Sequence, residues 1–234
     1  MTCTLTSISH RPSPARRGLG LWSSVILTLS ITLAGCSDTP NNNYARGVYL
    51  LLDTSGTYTQ ELTKAQQLIN YMLAMLEPGD TFAVARIDSA SFSEKDIVAK
   101  VVLDSRPSIA NKQKREFAKQ VEHFVRTVKS SDYTDISGGI LQGVEYLNEA
   151  EVGTKTIMIY SDLKEELPVG YVRNFDLILD GFTVQALNVT KLRADNQNPQ
   201  EYLDRLSLWS NRIITGGGSW LVVNDLDKPE ALRI

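Results

Sequence analysis

Val48-Tyr49-Leu50-Leu51-Leu52-Asp53-Thr54-Ser55-Gly56-Thr57 decides how this chain is read. Its unbroken apolar run fits a strand covered on both faces, as a central strand of a parallel sheet is. The run stops at an acid followed by hydroxyls at alternate positions, which an extended turn can point the same way. Ligands of open α/β sheets bind beyond the carboxyl ends of the strands, so chemistry is expected where this run ends. A second run of the same kind, Thr156-Ile157-Met158-Ile159-Tyr160, leads into Ser161-Asp162. Both runs are expected as central strands.

Outward from these strands, helical and extended patterns alternate. Leu62, Ala65, Ile69, Met72 and Met75/Leu76 recur at spacings of three and four and predict a helix ended by Pro78-Gly79. Phe82, Val84 and Ile87 predict a strand, and Ile97 to Leu103 another. Phe117, Val121, Phe124 and Val128 mark a helix within 108–129, and Ile140, Val144 and Leu147 mark a third. Phe182, Val184, Ala186 and Val189 fit a further strand. Asn198-Pro199-Gln200-Glu201 opens a helix with Asn as cap, Pro at the first position and Glu at the third. Trp220 to Val223 closes the sheet. The expected fold class is α/β, a doubly wound, mostly parallel sheet with helices on both faces in three layers. Residues 163–180 show no periodicity and receive no element.

The chain has 234 residues, 24 Lys+Arg against 27 Asp+Glu and 42% hydrophobic residues, within the globular range and outside that of disordered or collagen-like chains. Arg11, Arg16 and Arg17, with no acid, precede an uncharged run from Gly18 to Gly35, the order of a secretory signal. Leu33-Ala34-Gly35-Cys36 resembles the lipobox of bacterial lipoproteins. The resemblance implies cleavage before Cys36, lipid on its thiol, and a membrane-anchored protein facing the periplasm. Ser37 in place of Asp implies the outer rather than the inner membrane. The expected organisation is a signal at 1–35, a lipidated tether at 36–45, a folded domain at 46–224 and a tail at 225–234. Removing three Arg and no acid takes the formal charge from −3 to −6. With Cys3 gone and Cys36 acylated, no free thiol remains, and His123 is the one imidazole left. Cysteine catalysis, zinc–thiolate sites and multi-histidine metal sites are excluded, and an acidic domain is a poor partner for nucleic acid.

Between the two central runs, Thr134-Asp135-Ile136-Ser137-Gly138-Gly139 leads into a helix and can bring more oxygens to the same edge. Two carboxylates and several hydroxyls, with no His or Cys, suit a hard divalent cation: Mg²⁺, with Mn²⁺ or Ca²⁺ as alternatives. Asp53-x-Ser55-x-Thr57, Thr134 and Asp162, in this order, resemble the metal-ion-dependent adhesion site of von Willebrand factor A domains. Thr215-Gly216-Gly217 before the last strand is similar to a stretch near the end of such domains, and the likeness spans 46–224. It implies that Ser55, Thr57 and Thr134 bind the metal through their hydroxyls, and that Asp53 and Asp162 hold it directly or through water. A protein partner's Asp or Glu carboxylate would complete the sphere, in a binding module that is not an enzyme and takes no small-molecule substrate. Thr57 stands where Ser is usual, and Leu163 where Gly often follows the acid.

Two rival readings come from other classes. Asp53-Thr54-Ser55-Gly56-Thr57 differs by one residue from the Asp-x-Asp-Gly-Thr loop of haloacid-dehalogenase-like phosphatases, but Ser55 stands where their acid/base Asp belongs, and a hydroxyl is a poor proton shuttle. A metal-free scaffold acting through its helix faces is the other. Lys112, Lys114, Arg115, Lys119, Arg126 and Lys129 read as a solvated face broken by Glu116 and Glu122. His123 reads as a surface residue, and Trp209 and Trp220 as packing.

Overall fold

Val48 to Leu52 are fully buried at the centre of strand β1 (Arg46–Asp53). The computed structural model describes residues 44–56, 61–88, 92–192, 194–226 and 231–234. The signal segment, Cys36, nearly all of the tether and Thr57 lie outside the described residues. After β1 come helix α1 (Leu62–Met75), strands β2 (Thr81–Ile87) and β3 (Ile97–Val102), and helices α2 (Pro107–Thr127) and α3 (Ile136–Glu149). Strands β4 (Thr154–Tyr160) and β5 (Phe182–Leu187), helix α4 (Pro199–Thr215) and strand β6 (Ser219–Val223) complete the order.

The sheet runs β3-β2-β1-β4-β5-β6. All neighbours are parallel except β2 and β3. The connection at 88–96, which includes a short 3-10 turn, Glu94–Asp96, falls short of the roughly dozen residues a parallel crossover needs. The two faces of β1 feed two cores. Val48, Leu50 and Leu52 pack with α1 and α2, whereas Tyr49 and Leu51 pack with α3 and α4. The doubly wound architecture read from the sequence is the one observed.

Local details adjust three expectations. Of Met75 and Leu76, Leu76 enters the core and Met75 is half exposed. Asn198 precedes α4 but does not cap its backbone; its amide donates to Glu201 Oε1 at 3.1 Å. Residues 163–181 form no helix or strand, yet Leu163, Leu177 and Leu179 are buried against α3 and α4. Trp209 is fully buried and Trp220 half-buried at the sheet edge. Leu232 packs into the core beside α1 and α2, while Gln185 bonds the main chain of Arg233 in both directions.

Helix α3 lies unusually close to β1. A Cβ at Gly143 would stand 2.8 Å from Tyr49 Cδ1, a ring that cannot yield because its hydroxyl donates to Gln142 on the same helix at 2.8 Å. Gly143→Ala is expected to lower stability by about 1–3 kcal/mol, as overpacking of a dense core does, measured by urea unfolding.

Candidate metal centre

Strand β1 passes to β2 and β3 on one side, while β4 passes to β5 and β6 on the other, so the chain reverses between β1 and β4. Their register sets Leu52 opposite Tyr160, and the residues that follow, Asp53 and Ser161-Asp162, meet at this switch point. Asp53 is 1% exposed. Its Oδ1 accepts the Ser55 N–H at 2.8 Å and its Oδ2 accepts the Ser161 hydroxyl at 2.6 Å. The Asp162 carboxylate, also buried, accepts the Lys164 N–H at 2.8 Å. Among the described residues, neither acid forms a contact ion pair with Lys or Arg. The neighbouring guanidiniums are committed elsewhere, Arg173 to Asp135 and Arg205 to Asp195.

Burial therefore acts on both carboxyls. It pushes Asp53 above the usual carboxylate range, against hydrogen bonds from Ser161 and Ser55, and the charge of Glu166 adds to the rise. Burial also pushes Asp162 up to about 6, with the Asp53 charge adding and the Lys164 N–H opposing. Two desolvated acids, with the charge of Asp53 opposing ionisation of Asp162, form a site that a cation would relieve.

Ser55 and Thr134 are brought to the same edge by main-chain contacts. Ser55 pairs with Ser131, whose N–H donates to Thr54 O at 2.9 Å, while the Thr54 hydroxyl donates to Ile87 O at 2.9 Å. Thr134 exchanges both main-chain bonds with Glu166, at 2.7 and 3.0 Å, which leaves its buried hydroxyl as the group it can offer. The next residue, Asp135, is fully buried and caps α3 through Gly138 N–H at 2.8 Å. Arg173 grips the same carboxylate with Nε at 3.0 Å and Nη2 at 2.6 Å.

The segment after Asp162 is pinned by polar contacts to distant elements. Leu163 takes φ +66°, a strained left-handed conformation for a branched side chain. It is held there by burial, by the Ser161 hydroxyl accepting its N–H at 3.0 Å, and by Trp209 Nε1–H donating to its carbonyl at 2.9 Å. Glu165 accepts the Ser137 N–H at the start of α3 at 2.7 Å. Arg205 donates to the Asp162 carbonyl at 3.1 Å.

Sequence reading missed Ser161 as a member of the site, along with the roles of Asp135, Arg173 and Glu165. Ser161 had a signal, its place at the strand end beside Asp162; Arg173 had none. Among the described residues, no three of His, Cys, Asp and Glu gather as a metal-binding group. A cation here would rest on two carboxylates and hydroxyls, a donor set that fits a hard divalent ion keeping some of its waters.

No protein-family model and no curated protein matches the sequence. Among solved structures, the pilus adhesin SpaC of Lactobacillus rhamnosus GG, in its open conformation, is similar with a TM-score of 0.51 at 14% identity, over 80% of this chain and 29% of that one. A von Willebrand factor type A protein of Catenulispora acidiphila aligns with a TM-score of 0.48 at 12% identity, over 80% of this chain and 41% of that one. BatB of Bacteroides thetaiotaomicron aligns with a TM-score of 0.41 at 14% identity, over 80% of this chain and 95% of that one. The chain thus spans less than half the length of the first two. The fold is the doubly wound α/β sheet that the resemblance to von Willebrand factor A domains implies, and it is shared with SpaC. Within this fold, Asp53, Ser55, Thr134 and Asp162 occupy one edge, and Thr57 falls outside the described residues.

Two outcomes test this geometry. Arg173→Met would take the guanidinium counter-charge from the buried Asp135 carboxylate, and is expected to cost about 3–5 kcal/mol in urea unfolding, partly recovered by Asp135→Asn in the double variant. The raised carboxyl of Asp162 favours the fold when protonated, so its contribution is complete below the ordinary carboxylate range and is lost as pH rises through about 6. In chelator, Asp162→Asn is therefore expected to be more stable than wild type above about pH 6, by on the order of 2 kcal/mol, with the difference closing near pH 4. Denaturant unfolding across that pH range checks it.

Proposed function

We propose that this protein is a lipid-anchored binding module of the bacterial cell envelope, facing the periplasm, that engages a protein partner through a divalent cation and is not an enzyme. The observation that carries the reading is the pair of buried carboxylates, Asp53 and Asp162, side by side at the switch point and, among the described residues, without a contact ion pair to Lys or Arg. Asp53 and Asp162, with the hydroxyls of Ser55 and Thr134, would hold Mg²⁺, or Mn²⁺ or Ca²⁺ in its place; Thr57 joins them on the strength of its place in the motif. When bound, the cation supplies a positive charge that the neutral hydroxyls leave largely uncompensated, and so a contact for a partner's Asp or Glu carboxylate.

The chain's own residues do the positioning. Ser161 and the Ser55 N–H orient Asp53, the Lys164 N–H orients Asp162, and the Glu166 pairing sets Thr134. Ser55, at the position of the acid/base Asp in haloacid-dehalogenase-like phosphatases, is itself pinned in the Ser131 bridge. Envelope anchoring rests on the basic-then-apolar leader and on Leu33-Ala34-Gly35-Cys36. Among the described residues, no helix is long and apolar enough to cross a membrane.

Thermal unfolding in chelator, Mg²⁺, Mn²⁺ and Ca²⁺ tests the reading. An ion that binds only the folded state is expected to stabilise wild type by about 2.7 kcal/mol at 100 times its Kd, and to leave Asp53→Ala and Asp162→Ala unmoved. No rise at saturating metal would overturn it. The same preparation is expected to release no phosphate from a small phosphomonoester above an Asp53→Asn control.

A further inference from the structure

One carboxylate beside the site has no part in the set just described. Thr134 and Glu166 face each other in an antiparallel bridge with both main-chain bonds made, N–H to O at 2.7 and 3.0 Å. Residues directly opposite in such a hydrogen-bonded pair lie about 5.5 Å apart at Cα and carry their side chains on the same face. The face that presents the Thr134 hydroxyl therefore also carries the Glu166 carboxylate. The present counter-ion of Glu166 is Lys164, 2.5 Å away, with both side chains about half exposed. An exposed pair of this kind is weak and exchangeable, and a dication at Thr134 competes with it directly.

We infer that Glu166 is the chain's own ligand for the open side of the cation site, filling in the absence of a partner the place that a partner's Asp or Glu would take. The inference rests on the cation-binding reading above. Glu166 then has two resting places, the cation and the Lys164 ammonium, and the second is the arrangement described here. A partner has to displace an internal carboxylate, with Lys164 placed to receive it. This lowers apparent affinity for any acidic side chain that brings no further contacts, and so favours partners that match the surrounding rim.

The test is Mn²⁺ binding to the full-length protein by titration calorimetry, at low and high salt, for wild type, Glu166→Gln, Glu166→Asp and Asp53→Asn. Unfolding of each in chelator checks that the fold is kept. Direct ligation predicts that Glu166→Gln and Glu166→Asp both weaken Mn²⁺ by about tenfold or more, that the loss survives high salt, and that water-proton relaxation reports an additional exchangeable water on the bound ion. A Glu166→Asp variant that binds like wild type, or a Glu166→Gln deficit that fades in high salt, would mean that Glu166 acts only through its field, and the inference is overturned. If Asp53→Asn abolishes binding while Glu166→Gln keeps it, the cation site stands and the internal ligand does not. Wild type that binds no Mn²⁺ overturns both.

Discussion

The parallel pairing of β1 with β4 is the constraint from which the rest of this molecule follows. With Leu52 set against Tyr160, Asp53 and Asp162 have to emerge together at the one place where the winding of the sheet reverses. Two like charges in a desolvated corner oppose folding unless protons, hydrogen bonds or a counter-charge intervene. Here the protein supplies hydrogen bonds, from Ser161 and from the Ser55 and Lys164 N–H groups, and among the described residues no contact ion pair to Lys or Arg. Arg173 and Arg205 lie close by, but each closes on a different buried acid. Local stability is thus surrendered at the place where a ligand is expected, as in many binding sites.

The surroundings of the site are held by long-range contacts. Glu165 and Asp135 both cap α3, Arg173 bridges from the irregular segment to Asp135, and Arg212 on α4 reaches Ser137 at 2.8 Å. These bonds tie α3, α4 and residues 163–173 together, so the loop carrying Thr134 and the loop carrying Asp162 are positioned as one. Leu163 shows how firmly. Its positive φ would suit glycine, the residue that often follows the acid in domains of this kind, yet its side chain fills the core and Trp209 bonds its carbonyl. Backbone strain is traded for apolar burial and a buried indole hydrogen bond.

The two core clusters explain why so much of the fold was legible beforehand. Val48 to Leu52 are apolar without a break because β1 contributes alternate residues to both clusters, and a sequence covered on both faces has no polar period. Helix faces such as Leu62, Ala65, Ile69 and Met72 show their spacing because each helix buries only one side. The antiparallel turn of β3 is less visible, since it depends on connection length rather than on apolar pattern. Residues 163–181 escape altogether, because the side chains of Trp209, Arg212 and Asp135 and the main-chain N–H of Ser137 hold them in place of a repeating pattern of their own.

The order of strands and helices and the chemistry of the Asp53-x-Ser55-x-Thr57, Thr134 and Asp162 segments were determined by the sequence alone, because burial periodicity and the end of an apolar run are local properties of a chain. The neighbours of those segments were decided only by the tertiary structure. Ser161 became the partner of Asp53 through strand register, Glu166 came to face Thr134 through a bridge across 32 positions of the chain, and Arg173 was drawn to Asp135 rather than to the open carboxylates. Such pairings depend on which distant groups the packed sheet and helices bring within hydrogen-bond reach, and no spacing along the chain encodes that.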